Sequence, residues 1–159
     1  MKTEWTTYLE SIGIQGLFLK RVEEVLDFYQ HVYPGQIEDI FITDYFDKDG
    51  NRQYESMWLF SKTSAMEAKQ FLRDDNFDWV LLKQQVRYWA IKKTEYDFRK
   101  ASIKSRMSLQ FSLIMPVGCT LKASQENCEY LKTLFLKYVM PNVMEPAVAA
   151  QQMDSGDGQ

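Results

Sequence analysis

Apolar residues recur along this chain with two distinct periods, and those periods divide it into elements. Met107, Leu109, Phe111, Leu113 and Met115 alternate with Ser108, Gln110 and Ser112, as in a strand with one buried face. Upstream, Trp79–Leu82 reads as a short strand and about Gln85–Phe98 as a long one. A further strand runs over Lys104–Met115, until Pro116-Val-Gly118 breaks it. Nearer the start, Phe18, Val22, Val25, Tyr29 and Val32 recur at steps of four, three, four and three. That is an amphipathic helix beginning near Leu17, stopped by Pro34-Gly35. Before it, Trp5, Tyr8 and Leu9 make one face of a short helix, and Gly13 and Gly16 interrupt any longer one.

Between these helices and the later strands lies a hairpin. Ile37–Phe46 and Arg52–Ser61 are rich in β-branched and aromatic residues, with Asp47-Lys-Asp-Gly-Asn51 between them. With Asp49-Gly50 as a two-residue turn, Ile40 faces Leu59 and Ile42 faces Met57. Phe41 then opposes Trp58, and Tyr45 opposes Tyr54, on the other face. Ser64-Ala-Met-Glu67 has the form of a capping box and predicts a helix with Met66, Phe71 and Leu72 as apolar positions. Near the end, Ser124 reads as an N-cap with Glu126 in the first turn. Cys128, Leu131, Leu134, Phe135, Tyr138 and Val139 form the buried stripe of a helix that stops before Pro141.

The predicted class is therefore α+β: a mostly antiparallel sheet of five or so strands, an N-terminal helix, a helix after the first hairpin, and a C-terminal helix packed on the sheet. Residues 1–144 read as one domain, and residues 145–159, ending Asp-Ser-Gly-Asp-Gly-Gln, as a flexible tail. The element order is similar to that of pleckstrin-homology-like barrels capped by a C-terminal helix, of longin or roadblock-like domains, and of cone-shaped NTF2-like domains. Those folds host unrelated functions.

Charge changes the picture more than composition does. The net charge of −3 divides into about −7 over residues 1–82, +6 over 83–106 and −2 over 107–159, and a partner feels the local value. The basic segment carries Lys92, Lys93, Arg99 and Lys100 beside Trp89, a set that could meet phosphates, a lipid headgroup or an acidic protein surface. Cross-strand pairing competes with that reading. With Arg99–Ser102 as the connection, Glu95 faces Arg106, Asp97 faces Lys104, Lys93 faces Ser108 and Trp89 faces Ser112. Sequence leaves this register open, because a shift by one exchanges the faces. The overall negative charge disfavours nucleic acid as the partner.

Other constellations reduce to structural roles. Asp44, Asp47 and Asp49 resemble a calcium loop, but with Gly50 at its glycine the first and twelfth positions fall on Tyr45 and Ser56, which supply no carboxylate. His31 is the single histidine, placed to cap carbonyls at a helix end. Cys119 and Cys128 form no C-x-x-C pair. No catalytic residue, metal ligand set or cofactor motif emerges; the seven glycines form no phosphate-binding run. Phe41, Tyr45, Tyr54 and Trp58 could line a small-molecule pocket, although a core against a helix is the commoner use of such a face. With no charged-then-apolar leader and no apolar run of membrane-spanning length, the expected setting is cytoplasmic.

Two readings follow. The first is a non-enzymatic binding or adaptor domain that engages a protein or anionic partner through a basic, aromatic-flanked hairpin at Trp89, Lys92, Lys93, Arg99 and Lys100. The second is a small-ligand or lipid-binding cone, with scope for an enzyme, around Phe41, Tyr45, Tyr54 and Trp58. A homo-oligomer whose aromatic face is its interface is a third arrangement.

Overall fold

The computed structural model describes residues 1–33, 35–73, 77–81, 86–94, 106–113 and 118–142. Two helices lead, α1 (Thr3–Ser11) and α2 (Leu17–Val32). Among the described residues seven strands follow: β1 (Asp39–Phe46), β2 (Arg52–Phe60), β3 (Ser64–Lys69), β4 (Phe77–Leu81), β5 (Val86–Thr94), β6 (Arg106–Leu113) and β7 (Gly118–Ser124). Helix α3 (Asn127–Leu134) comes last and continues through a widened turn at Phe135–Val139. The class is α+β, and every pairing between the described strands is antiparallel. β1 to β4 form one sheet in sequence order and β5 to β7 a second. The two sheets meet where β7 lies beside β1, joined by the Ser124 amide donating to Asp44 Oδ1 at 2.9 Å.

Local signals in α1 account for its ending. Gly13 takes a φ of +86°, its N–H reaches the Glu10 carbonyl at 3.0 Å, and Ile14 N–H reaches the Leu9 carbonyl at 2.8 Å. This is a Schellman motif, in which glycine reverses the chain while the last carbonyls are satisfied. Leu9 and Ile14, the pair that such a motif brings together, are both fully buried. In α2 the buried positions are Val22, Val25, Leu26 and Tyr29; Phe18 and Val32, expected on that stripe, stand half-exposed. The buried stripe expected of α3, from Cys128 to Val139, is present in full.

The first hairpin keeps the predicted register over its first half. Ile40 pairs with Leu59, Phe41 with Trp58 and Ile42 with Met57. A bulge in β2, where Glu55 and Ser56 together oppose Thr43, then shifts the ladder, so Asp44 pairs with Tyr54 and Tyr45 with Gln53. Tyr45 therefore does not oppose Tyr54. The turn also differs from the expected two residues. It spans 47–51, and Asp47 Oδ1 accepts the Asp49 and Asn51 amides, each at 2.9 Å. The extra residue at the bulge and the longer turn belong together, since a bulge changes which residues the turn must connect. Asp47 spends its carboxylate on the turn and on Gln53 Nε2, the structural role expected of it.

Two further expectations are corrected. The segment Ser64–Lys69 is strand β3, not a helix. It pairs with β2 on one side and β4 on the other. Helix-forming Ala, Met, Glu and Lys yield here to pairing that buries Ala65, Met66 and Ala68. Ser124 ends strand β7 rather than capping α3, whose N-cap position is Glu126 without a side-chain cap. Strand β7 itself was unexpected, though Cys119, Leu121 and Ala123 alternate as buried residues with exposed Thr120 and Lys122.

Residues from α1, α2, β1–β3, β7 and α3 join one apolar core. Both faces of the first hairpin are covered. On the Phe41 face, Phe41 stacks with Tyr130 of α3 and Phe60 stacks with Tyr138. Tyr130 in turn stacks on Tyr8 of α1, with centroids 3.8 Å apart. The segment 145–159, read as a tail, lies outside the described residues.

Candidate binding surfaces

The seam between β1 and β7 is closed by a buried polar cluster. Asp44, fully buried, accepts Asn127 Nδ2 at 2.7 Å and the Ser124 amide on Oδ1, and Arg52 Nε on Oδ2 at 2.8 Å. Asn127 Nδ2 also donates to the Ile42 carbonyl, and Asn127 Oδ1 accepts the Tyr8 hydroxyl, both at 2.8 Å. The same hydroxyl accepts the Ile42 amide at 3.0 Å. These Ile42 groups lie next to the register shift opposite Thr43, and side chains from α1 and α3 satisfy them. Arg52 completes the cluster through Glu126 Oε1 at 2.5 Å and the Ser124 carbonyl at 3.2 Å. Burial pushes the Asp44 carboxyl above the usual range, opposed by Asn127, Arg52 and Ser124. Burial likewise pushes the Tyr8 phenol well up. Donors and acceptors are matched with one another, so the cluster ties elements together and presents no open reactive group.

A second latch holds the end of the last helix. Tyr138 donates to Asp39 Oδ2, Lys137 Nζ pairs with the same oxygen at 2.6 Å, and Glu38 Oε2 lies 3.3 Å from the Tyr138 hydroxyl. Burial, then the hydrogen bond with Asp39, drives the Tyr138 phenol far above its ordinary value. His31 donates from Nδ1 to the Asp27 carbonyl at 2.7 Å, the helix-end role expected of it. Neither cysteine forms a disulfide and both are buried. Among the described residues no group of three or more His, Cys, Asp or Glu side chains could hold a metal ion.

The structure divides the four aromatics expected to line a pocket. Phe41 and Trp58 are fully buried in the core. Tyr45 and Tyr54 instead line an open cleft of about 630 Å³ on the first sheet, with Phe18 and Leu72. Tyr54 is held there by its hydroxyl, which donates to the Ile12 carbonyl at 2.6 Å, and by an edge contact with Phe18. The cleft walls mix Arg52, Lys69 and Arg73 with Glu55 and Glu67. Sequence reasoning missed Phe18 as a wall residue because its spacing placed it on the buried stripe of α2.

The basic hairpin is also divided. β5 and β6 pair Trp89 with Phe111, Ile91 with Leu109, Lys93 with Met107 and Thr94 with Arg106. The ladder is one residue out of the expected register, so Glu95 does not face Arg106, Trp89 does not face Ser112 and Lys93 does not face Ser108. Apolar residues decide this. The observed register sets Trp89 and Ile91 against apolar partners, whereas the expected one sets Trp89 against a serine. Continuing across β6 to β7, Lys92 pairs with Ser108, and Ser108 with Lys122. Lys92 and Lys122 are both exposed. Trp89 and Lys93 occupy the alternate rows, which end in buried Cys119 and Ala123. Lys92 is thus on the opposite side of the ladder from both. Lys122 Nζ stands 3.8 Å from Glu55 Oε2; sequence reasoning missed this lysine because β7 went unrecognised. Arg99, Lys100 and the Asp97–Lys104 pairing lie outside the described residues.

Among the described residues no helix is long and apolar enough to cross a membrane. No family model matches the chain, and no curated protein matches it. One similar solved structure is the crystal structure of the C-terminal domain of an unknown protein from Leishmania infantum. It is 7% identical, covers 73% of this chain and 96% of its own, and has a TM-score of 0.46.

Proposed function

We propose that the chain is a non-enzymatic binding or adaptor domain whose outer β5–β7 face engages a carboxylate-rich protein surface. The observation that carries this reading is the row Lys92–Ser108–Lys122. It sets two exposed ammonium groups on strands about 10 Å apart, given the ordinary spacing of neighbouring strands. Lysines at that separation suit two carboxylates on a partner, and their exposure makes them agents of steering and specificity more than of raw affinity. Arg106 belongs to the same side of the ladder, two residues from Ser108 along β6. Lys93 and Trp89 occupy the alternate rows and are not part of this face.

The scaffold is compatible. A run of antiparallel strands followed by a closing C-terminal helix resembles the pleckstrin-homology-like barrel among the folds considered from element order, a likeness that speaks to architecture alone. The small-ligand reading retains one support, the cleft beside Tyr45 and Tyr54. Its other two residues, Phe41 and Trp58, pack in the core.

Titration with poly-glutamate, with vesicles containing anionic lipid and with single-stranded RNA, each over a salt series, tests the proposal. Poly-glutamate is expected to bind most tightly, with affinity falling as salt rises. Tighter binding to the lipid or the RNA, or no salt dependence, would overturn it.

A further inference from the structure

Helix α2 carries apolar side chains outside its buried stripe. Leu17 is 84% exposed, Phe28 59% and Val32 53%. Large apolar side chains exposed together on one helix mark an interaction surface, because monomeric proteins seldom leave such patches open. At 100° per residue, positions 17, 21, 24 and 28 fall within an arc of about 60°. They read Leu17, Arg21, Glu24, Phe28: an apolar residue at each end and an ion pair in the middle. Arg21 Nη1 and Glu24 Oε2 are 3.7 Å apart, and Arg21 Nε donates to the Phe71 carbonyl at 2.8 Å, which anchors the guanidinium at the surface.

The spacing of these four residues is four, three, four, so it reads the same in both directions. We infer that α2 pairs antiparallel with α2 of a second copy of this chain about a two-fold axis. In that arrangement Leu17 meets the partner's Phe28 and Arg21 meets the partner's Glu24, each contact occurring twice. A self-complementary patch is what an isologous interface requires, and steps of four and three give the seam of two helices packed side by side. The middle layer becomes an alternating ring of two arginines and two glutamates, with no like charges in direct opposition. The flank agrees. Lys20 and Asp27 lie together on one side of the stripe, and antiparallel pairing brings each flank against the same flank of the other copy, so lysine approaches aspartate. An unrelated partner helix would have no need of a palindromic stripe.

Sedimentation velocity over a concentration series of the full chain is the first test. A monomer–dimer equilibrium is expected, and Phe28→Lys should weaken it by about tenfold or more, since it sets a cation against Leu17 of the other copy. Far-UV circular dichroism and thermal unfolding of the variant monitor the fold separately. Cysteine cross-linking then tests the geometry. A mixture of Leu17→Cys and Phe28→Cys chains should form a disulfide-linked heterodimer on mild oxidation. Each variant alone should not, because its cysteines would be ~16 Å apart along the pair. A monomer at every concentration, a dimer indifferent to Phe28→Lys, or single variants that link as readily as the mixture would each overturn the inference.

Discussion

Asn127 and Asp44, 83 residues apart in the chain, meet through a hydrogen bond of 2.7 Å from Asn127 Nδ2 to Asp44 Oδ1. Around this bond the start of the last helix, the first strand and the first helix are fastened together. Asn127 is fully buried and uses both ends of its amide, so no shorter side chain replaces it. Asn127→Ala strands the Tyr8 hydroxyl, the Ile42 carbonyl and one Asp44 bond, and is expected to cost about 2–4 kcal/mol. Asn127→Asp sets two carboxylates against each other and should cost more at neutral pH, with part of the loss recovered as acid protonates one of them. Urea unfolding of both variants at neutral and mildly acidic pH measures this. An Asn127→Asp protein whose deficit is independent of pH would contradict it.

Gly13 is constrained twice. Its φ of +86° disfavours any side chain, and a Cβ there would stand 3.1 Å from the Tyr54 hydroxyl. Gly13→Ala is expected to destabilise by about 1–2 kcal/mol. Adding Tyr54→Phe removes the close oxygen but leaves the backbone cost, so the double variant should lose less than the sum of the two single losses. Thermal unfolding of the three proteins reads this out, and strict additivity would show that the contact plays no part.

Four phenols, those of Tyr8, Tyr54, Tyr130 and Tyr138, are raised above the ordinary value of 10.0, in each case chiefly by burial. An acid whose folded pKa is raised binds its proton more tightly in the fold than in the unfolded chain. Its contribution is therefore complete below 10.0 and is lost as pH rises through the folded value. Stability should fall steadily above pH 10, and the phenolate absorbance of these residues should appear together with the loss of circular dichroism. Smooth ionisation of all nine tyrosines around pH 10 with the fold intact would contradict this.

What could be read from sequence follows from how local each signal is. The α2 and α3 stripes and the alternation of β6 are local, and the helices and strands they predict are present. The bulge at Glu55–Ser56 has no local marker, so the sequence pattern pairs Tyr45 with Tyr54 where the structure pairs it with Gln53. Ser64-Ala-Met-Glu67 carries a helix-start pattern, yet the pairing of β3 between β2 and β4 overrides it. β7 offers only three alternating positions, and without it neither Lys122 nor the partner of Asp44 at Ser124 could be seen. The β5–β6 register depends on which apolar residues meet, a matter sequence leaves open to a one-residue slip. The candidate site was legible as a basic segment, but not as a face.

That face is the central claim, and reversing its charge tests it most directly. Lys92→Glu/Lys122→Glu should lower the affinity for poly-glutamate by at least about tenfold at low salt and flatten its salt dependence, since two favourable charge contacts become repulsive. Lys62→Glu/Lys132→Glu, which reverses two lysines exposed elsewhere, makes the same change in net charge and should leave binding close to that of the parent. Equal losses from both pairs would mean that net charge, and not the β5–β7 face, governs association, and would contradict the account.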